Sequence, residues 1–283
     1  MPVVRPCPGT SPEPGARLKG VHLSGLDYLA AAGAAAAAGA VNALAGGGTL
    51  ISFPTLVGIG VPSVAANITN TVSLVPGYLG GSWAQRDDLR PQAKRARPLL
   101  AAALLGGLAG SILLVSIPAH AFRAAVPYLI LVSCMLLLFQ DRIRDRLRPA
   151  PLDRDDGLES ARSESGPWNP GLLAAVFAGA VYGGFFGAGL GIILLAVLGL
   201  FSDEPLAKVN ALKQALSLAA NAVAALFFVF SGHVVWELVP VMAASSIVGG
   251  IGGGRLVKVV NAVVLRWLVV LAGVAVAVTF WVA

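Results

Sequence analysis

Apolar residues in this chain fall into long runs that polar residues interrupt at regular places. Ten runs can be drawn. They lie near 28–46, 49–61, 63–84, 98–117 and 122–140, and again near 171–188, 190–201, 206–230, 235–254 and 260–282. Several approach or exceed the roughly 18 residues that read as a membrane helix. The second run of each set is short, about a dozen residues. At roughly 1.5 Å of rise per residue, a helix of that length covers well under a ~30 Å hydrocarbon core.

The two sets are copies of one another without gaps, at an offset of 143 residues: Gly106, Gly107 and Gly110 recur as Gly249, Gly250 and Gly253, Pro62 as Pro205, Asn67 as Asn210, and Arg123 as Arg266. Matched Pro, Asn and Arg are not what compositional bias in two Gly/Ala-rich halves reproduces. Repeats of this length in an apolar chain build many membrane transporters, with a substrate site at the seam. The expected fold is an all-α integral membrane protein, an inverted repeat of two five-segment helical halves with short broken helices at Gly-rich turns. The halves span 27–140 and 170–283. A Pro- and Gly-rich tail, 1–26, precedes them and is expected to be disordered. Residues 141–169 read as a cytoplasmic linker: acid and base alternate from Asp141 to Arg148, and Pro149, Pro151, Ser163 and Ser165 follow. Residues 28–45 are not read as a cleaved signal, because they correspond to 171–188 inside the second half.

Composition removes the soluble classes. Mean hydropathy is +0.80 and only 12% of residues are charged, far too few for a water-facing surface. The net charge of +6 does not indicate nucleic acid, because the basic residues sit in short loops between apolar spans. Those loops orient the bundle. Arg86, Arg90, Lys94, Arg95 and Arg97 precede the fourth segment, Arg142 to Arg148 follow the fifth, and Arg255 and Lys258 follow the ninth. All fall on one side, which the positive-inside rule makes cytoplasmic. Both termini are then extracytoplasmic in the plasma membrane, and an odd segment count per half inverts the second copy. Arg5, Arg17 and Lys19 in the tail dissent mildly. Cys7 and Cys134 form no disulfide framework, and His22, His120 and His233 lack metal-ligand spacing, so neither metal nor cofactor is expected.

The chemistry concentrates in two segments. In segment eight Asn210, Lys213, Gln214, Ser217 and Asn221 share one helix face amid Ala, Leu, Val and Phe. In segment three Asn67, Asn70 and Thr71 take the equivalent positions, with Ser73 close by. Amides and an ammonium are costly against lipid, so both stripes should face inward. An intramembrane cation beside amides suits an anion. Against that, Lys213 could snorkel to the cytoplasmic surface, and the amides could serve only to bond helices together. Gly46, Gly47 and Gly48, and Gly187, Gly189 and Gly191, lie between the first two segments of each half. Glycine lets a helix break, and the N-terminus of the next segment then offers free N–H groups to an anion. Close helix packing is the competing explanation. It is the stronger one for Gly106/Gly110 and Gly249/Gly253, whose four-residue spacing shares one face.

The stretch AGAVNALAGGGTLISFPTLVGIGVPSVAANITN and its echo GAVYGGFFGAGLGIILLAVLGLFSDEPLAKVNALKQ resemble the sulfite exporter TauE/SafE family of membrane proteins. The resemblance covers roughly residues 30–282. It rests on a glycine-rich turn, an apolar run to a small-residue or proline turn, and an alanine entering a polar helix, twice over. Leu44, Ala188, Leu190 and Val197 depart from that pattern. The resemblance implies export of a sulfur oxyanion or organosulfonate without fixing the ligand.

The expected function is therefore a membrane transporter exporting a small anion by alternating access between two inverted repeats, with sulfite or an organosulfonate as substrate. Its partners are that anion and the lipid bilayer, with no nucleic acid; a homo-oligomer is compatible with the sequence. An enzyme is not expected, since no nucleophile–base pair or metal cluster falls inside a span. A membrane-embedded enzyme and an accessory subunit without transport of its own are the alternatives. Solute movement by the purified chain alone separates all three.

Overall fold

The computed structural model describes residues 23–44, 46–146, 170–201 and 204–256, with seven further helical residues between Trp267 and Val278. The N-terminal tail to residue 22, residues 147–169 of the linker, and most of the tenth segment, Arg266 included, lie outside the described residues.

The described chain is helical and contains no strand. The first half comprises α1 (Gly25–Leu44), α2 (Thr49–Gly58), α3 (Ser63–Ala84), α4 (Arg86–Leu89), a 3₁₀ turn (Arg90–Gln92), α5 (Ala93–Ser116) and α6 (Ala119–Arg146). The second comprises α7 (Pro170–Phe185), α8 (Leu190–Leu200), α9 (Leu206–Val229) and α10 (Val239–Leu256). Local chemistry explains where these helices start. Before α1, the Ser24 N–H donates to Asp27 Oδ2 at 2.7 Å and the Asp27 N–H donates back to Ser24 Oγ at 3.4 Å, a reciprocal cap. The Ser24 donors hold the Asp27 carboxyl below its usual range. α3 and α9 both begin directly after a proline, with φ −55° and ψ 141° at Pro62 and φ −55° and ψ 142° at Pro205. Proline's fixed φ and missing donor suit a helix entrance, and the repeat reproduces it 143 residues on.

Among the described residues, three helices are long and apolar enough to cross a membrane, within α5, α6 and α9. α9 is the most enclosed: 61% of its most apolar window is buried, against 39% for each of the others. It is therefore the central helix, while α5 and α6 turn Leu104, Leu105, Val132 and Met135 outward, as lipid-facing walls do.

The halves pack by exchange. α1 lies on α10 and α5 on α7, so each half's opening helix packs on the fourth apolar segment of the other. α3 packs on α10, α9 on α5, and α3 and α9 on each other. Glycine permits these contacts. A Cβ on Gly106 would lie 2.5 Å from the Phe177 carbonyl oxygen of α7, and one on Gly253 would lie 2.5 Å from the Ala40 Cα of α1. The glycines spaced by four are thus close-packing residues. α3 and α9 run antiparallel: Gly81 faces Gln214, and Gln85, one turn later in the chain, reaches Asn210, one turn earlier.

Several boundaries differ from the hydropathy pattern, among them the start of α5, at Ala93 rather than 98; two have local causes. α6 continues six residues past the run ending at 140, because Asp141 to Arg146 is polar yet fully compatible with helix. The ninth segment begins at Val239 rather than 235, because residues 236–238 form a turn and the Val235 N–H is taken by Thr69 Oγ1 of α3 at 2.9 Å.

Candidate substrate site

Both short helices follow a break at left-handed glycine. The Gly46 N–H reaches back to the Val41 carbonyl at 3.0 Å, and the Gly187 N–H to the Tyr182 carbonyl at 3.3 Å. Both glycines have positive φ, +90° and +80°. This closes α1 and α7 in the same way. The matching partner of Gly46 is therefore Gly187, two residues away from the Gly189 that gapless alignment gives it. The second break also holds Gly189 at φ +80° as the N-cap of α8, whereas the first has Gly48 in ordinary helical conformation.

The six glycines divide by what surrounds them. Gly46 and Gly191 meet across the seam backbone to backbone. Gly48 packs on the Ala38 backbone, and its N–H donates to Asn42 Oδ1 at 2.8 Å. Gly187 borders polar groups: a Cβ there would stand 3.8 Å from both Asn221 Oδ1 and Thr49 Oγ1. Gly47 and Gly189 have looser surroundings, of Leu137 and Leu50 side chains and of Leu136 and Ser133 respectively.

The stripes of α3 and α9 face inward. Asn67, Asn70 and Thr71 are buried, as are Lys213, Gln214, Ser217 and Asn221. Lys213 is 1% exposed and its Nζ has no partner among the described residues, so it does not snorkel. Asn210 is placed apart. It is half-buried at the start of α9, and its Nδ2 donates to Gln85 Oε1 at 2.6 Å. Close by, Gln92 Nε2 donates to the Lys208 carbonyl at 3.1 Å, and Lys208 pairs with Glu204 at 2.9 Å.

Some of these side chains hold structure as well. Asn67 Nδ2 donates to the Phe185 carbonyl at 2.9 Å, capping the broken end of α7. That bond fixes the amide orientation, because a flipped amide would set two oxygens against each other. Asn67 Oδ1 is thereby left without a partner. Asn70 Nδ2 lies 3.5 Å from Thr49 Oγ1 at the start of α2, Thr71 Oγ1 donates to the Asn67 carbonyl, and Asn221 Nδ2 donates to the Ser217 carbonyl.

The remainder is distinctive. Among the described residues, the buried side-chain atoms without a partner are Asn67 Oδ1, Asn70 Oδ1, Ser73 Oγ and Ser82 Oγ on α3, and Lys213 Nζ, Gln214 Oε1 and Ser217 Oγ on α9. All sit on these two facing helices. Leaving a buried neutral polar group unpaired costs about 1–3 kcal/mol, and an unpaired buried ion several. Such groups are few in native proteins and call for water, an ion or a ligand. No Asp or Glu is among the buried residues described, so no carboxylate neutralises the ammonium from within. The set offers one cation, three amide oxygens and hydroxyls that can donate or accept. Chemically, such a set can hold a small anion that carries donors of its own or brings water with it.

Thr49, Asn42 and Thr69 escaped the sequence reading. Thr49 sits where a helix cap is expected, although its side chain caps nothing. Asn42 is one amide in an alanine-rich helix, and Thr69 lies off the α3 stripe.

Comparison with known proteins places the chain. A family model described as "Sulfite exporter TauE/SafE" matches residues 31–280. A "Probable membrane transporter protein" of Haemophilus influenzae is 30% identical over 234 residues, 82% of this chain and 85% of its own. "Probable membrane transporter protein ORF9" of Sinorhizobium sp is 25% identical over 250 residues, 87% of this chain and 88% of its own. "Probable membrane transporter protein YfcA" of Escherichia coli K12 is 25% identical over 236 residues, 83% of this chain and 82% of its own.

Proposed function

The chain belongs to the sulfite exporter TauE/SafE family of membrane proteins, and on that premise we propose that it exports a small sulfur oxyanion, sulfite or an organosulfonate, bound between α3 and α9. The observation that carries this reading is the confinement, among the described residues, of unpartnered buried polar atoms, one ammonium among them, to those two mutually packed helices.

The anion meets Lys213 Nζ and the hydroxyls of Ser73 and Ser217. Their charge and donors replace part of its hydration shell. The amide oxygens of Asn67, Asn70 and Gln214 accept from a protonated oxygen, an amine or a retained water. A single cation opposed by neutral groups binds without trapping, which a transport cycle needs. Among the described residues no buried carboxylate is available for a proton relay, and export does not require one. An inside-negative potential drives an anion outward by roughly 2.3 kcal/mol per charge per 100 mV.

Alternating access follows from the proposed inversion. Antiparallel α3 and α9 are what a two-fold axis in the membrane plane produces, and the exchanged α1–α10 and α5–α7 contacts obey the same operation. The Gln85–Asn210 bond and the Gln92 bond to the Lys208 carbonyl tie the seam at its cytoplasmic end. They part when the site opens inward.

The test is efflux of labelled sulfite from proteoliposomes containing only this chain, with an imposed potential. Potential-dependent efflux above empty vesicles, lost in Lys213→Gln, is expected. Efflux equal to empty vesicles for sulfite and for small alkanesulfonates alike would overturn the reading.

A further inference from the structure

At the end of α3 opposite the Gln85–Asn210 tie, a groove of about 670 Å³ opens between the α2–α3 turn and the start of α6. Gly60, Val61, Ser63 and Val64 line one side, and His120 and Arg123 the other. Three properties of this groove agree in sign. Its charged lining residue is an arginine, and its lining includes no carboxylate. Arg123 has no ion pair among the described residues. The entrance of α3 faces the groove with no side chain capping it, so the positive end of a 22-residue helix adds to the arginine's charge.

Ser63, Asn67 and Asn70 follow one another at four and three residues along one face of α3, from the groove to the buried polar centre. The corresponding turn of the second half, before α9, carries Glu204 and Lys208 paired with each other instead. The two turns thus differ in charge balance, and Arg266, the counterpart of Arg123, lies outside the described residues.

We propose that this groove is an extracytoplasmic anion-binding antechamber, in which Arg123 receives the anion from the central site and holds it before release. Its role as an exit rests on the transport reading above; its capacity to attract anions does not.

The test replaces Cys7 and Cys134 with Ser, introduces Ser63→Cys, and labels intact vesicles from the extracytoplasmic face. Two membrane-impermeant thiol reagents of similar size are compared, one bearing a sulfonate and one a trimethylammonium. Ser231→Cys, near the C-terminal end of α9, is the reference. The sulfonate-to-ammonium rate ratio at Ser63→Cys should exceed that at the reference by at least about fivefold, since focused positive potentials raise local anion concentration by tenfold or more. Added salt should lower the ratio, sodium sulfate should slow labelling by the sulfonate, and Arg123→Gln should bring the ratio to the reference value while Arg123→Lys keeps it. The salt and sulfate arms need no substitution at Arg123, so a misfolded variant does not decide the matter. A ratio equal to the reference, or one indifferent to Arg123→Gln, overturns the antechamber even with sulfite efflux intact. A strong preference without efflux of sulfite or sulfonates supports the groove and overturns the transport reading.

Discussion

Gly46 and Gly191 touch backbone to backbone: a Cβ on Gly46 would lie 2.5 Å from the Gly191 Cα, and one on Gly191 2.6 Å from the Gly46 Cα. The two breaks therefore support each other, and the crossing has no room for a methyl group. Gly46→Ala and Gly191→Ala should each destabilise the protein by about 1–3 kcal/mol or more, as overpacking does, and Gly46→Ala adds backbone strain at positive φ. Gly47→Ala, with its nearest neighbour the Leu137 Cδ1 at 3.4 Å and at an ordinary φ, should cost much less. Thermal unfolding of the three purified variants checks this order. Equal midpoints would show that the breaks do not bear on each other.

Lys213 separates stability from activity. Lys213→Met removes a buried charge that no described residue pairs, and such replacements are often neutral or stabilising by about 1–4 kcal/mol. The unfolding midpoint should hold or rise while anion flux falls at least about tenfold, a loss of ~1.4 kcal/mol in binding. Lys213→Arg should keep part of the flux, because charge survives but its point geometry does not. Lys208→Ala, at the half-exposed Glu204 pair, should change flux little. A flux loss matched by an equal fall in stability would make Lys213 a structural residue.

Gln85 and Asn210 should behave as one unit. Asn210→Ala and Gln85→Ala each remove the 2.6 Å bond that ties the seam, so each should favour the inward-open state. The double variant should then go little beyond either single one. Labelling of a Ser217→Cys probe by a cytoplasmic thiol reagent reads this directly. It should quicken several-fold in each single variant and not multiply in the double.

Ser133 supplies the contrast with Ser217. Its hydroxyl bonds the Leu129 and Ala188 carbonyls at 2.8 and 3.0 Å and meets the Tyr182 hydroxyl at 2.8 Å, whereas Ser217 Oγ has no partner. Ser133→Ala should cost about 1–2 kcal/mol of stability and leave the half-saturating anion concentration unchanged. Ser217→Ala should leave stability unchanged and raise that concentration. Flux titrations beside unfolding curves would show whether the two effects separate.

Much of the helical framework was legible before any coordinates. The run at 63–84 coincides with α3, and that at 206–230 exceeds α9 by one residue, because Pro62 and Pro205 mark helix entrances chemically. The depth of Lys213 was not legible. Periodicity tells which face a residue occupies, not whether neighbouring helices close over it. Nor was Asn210's separation from the rest of its stripe. One helical face extends from the surface to the core, and only the partner, here Gln85, says where the core begins. The match between Gly46 and Gly187 was hidden by gapless alignment, because it depends on backbone dihedrals that two glycine-rich breaks satisfy in different ways.

The second break carries one more left-handed glycine than the first, Gly189 beside Gly187 against Gly46 alone. In an alternating-access cycle, two interchangeable halves would give end states related by the two-fold axis and equal in energy, at rest on either side of the membrane equally. Hinges that differ by a residue's handedness remove that degeneracy. Under the alternating-access proposal, a preference for one resting side would then be written into the main chain, before any anion binds and at zero membrane potential.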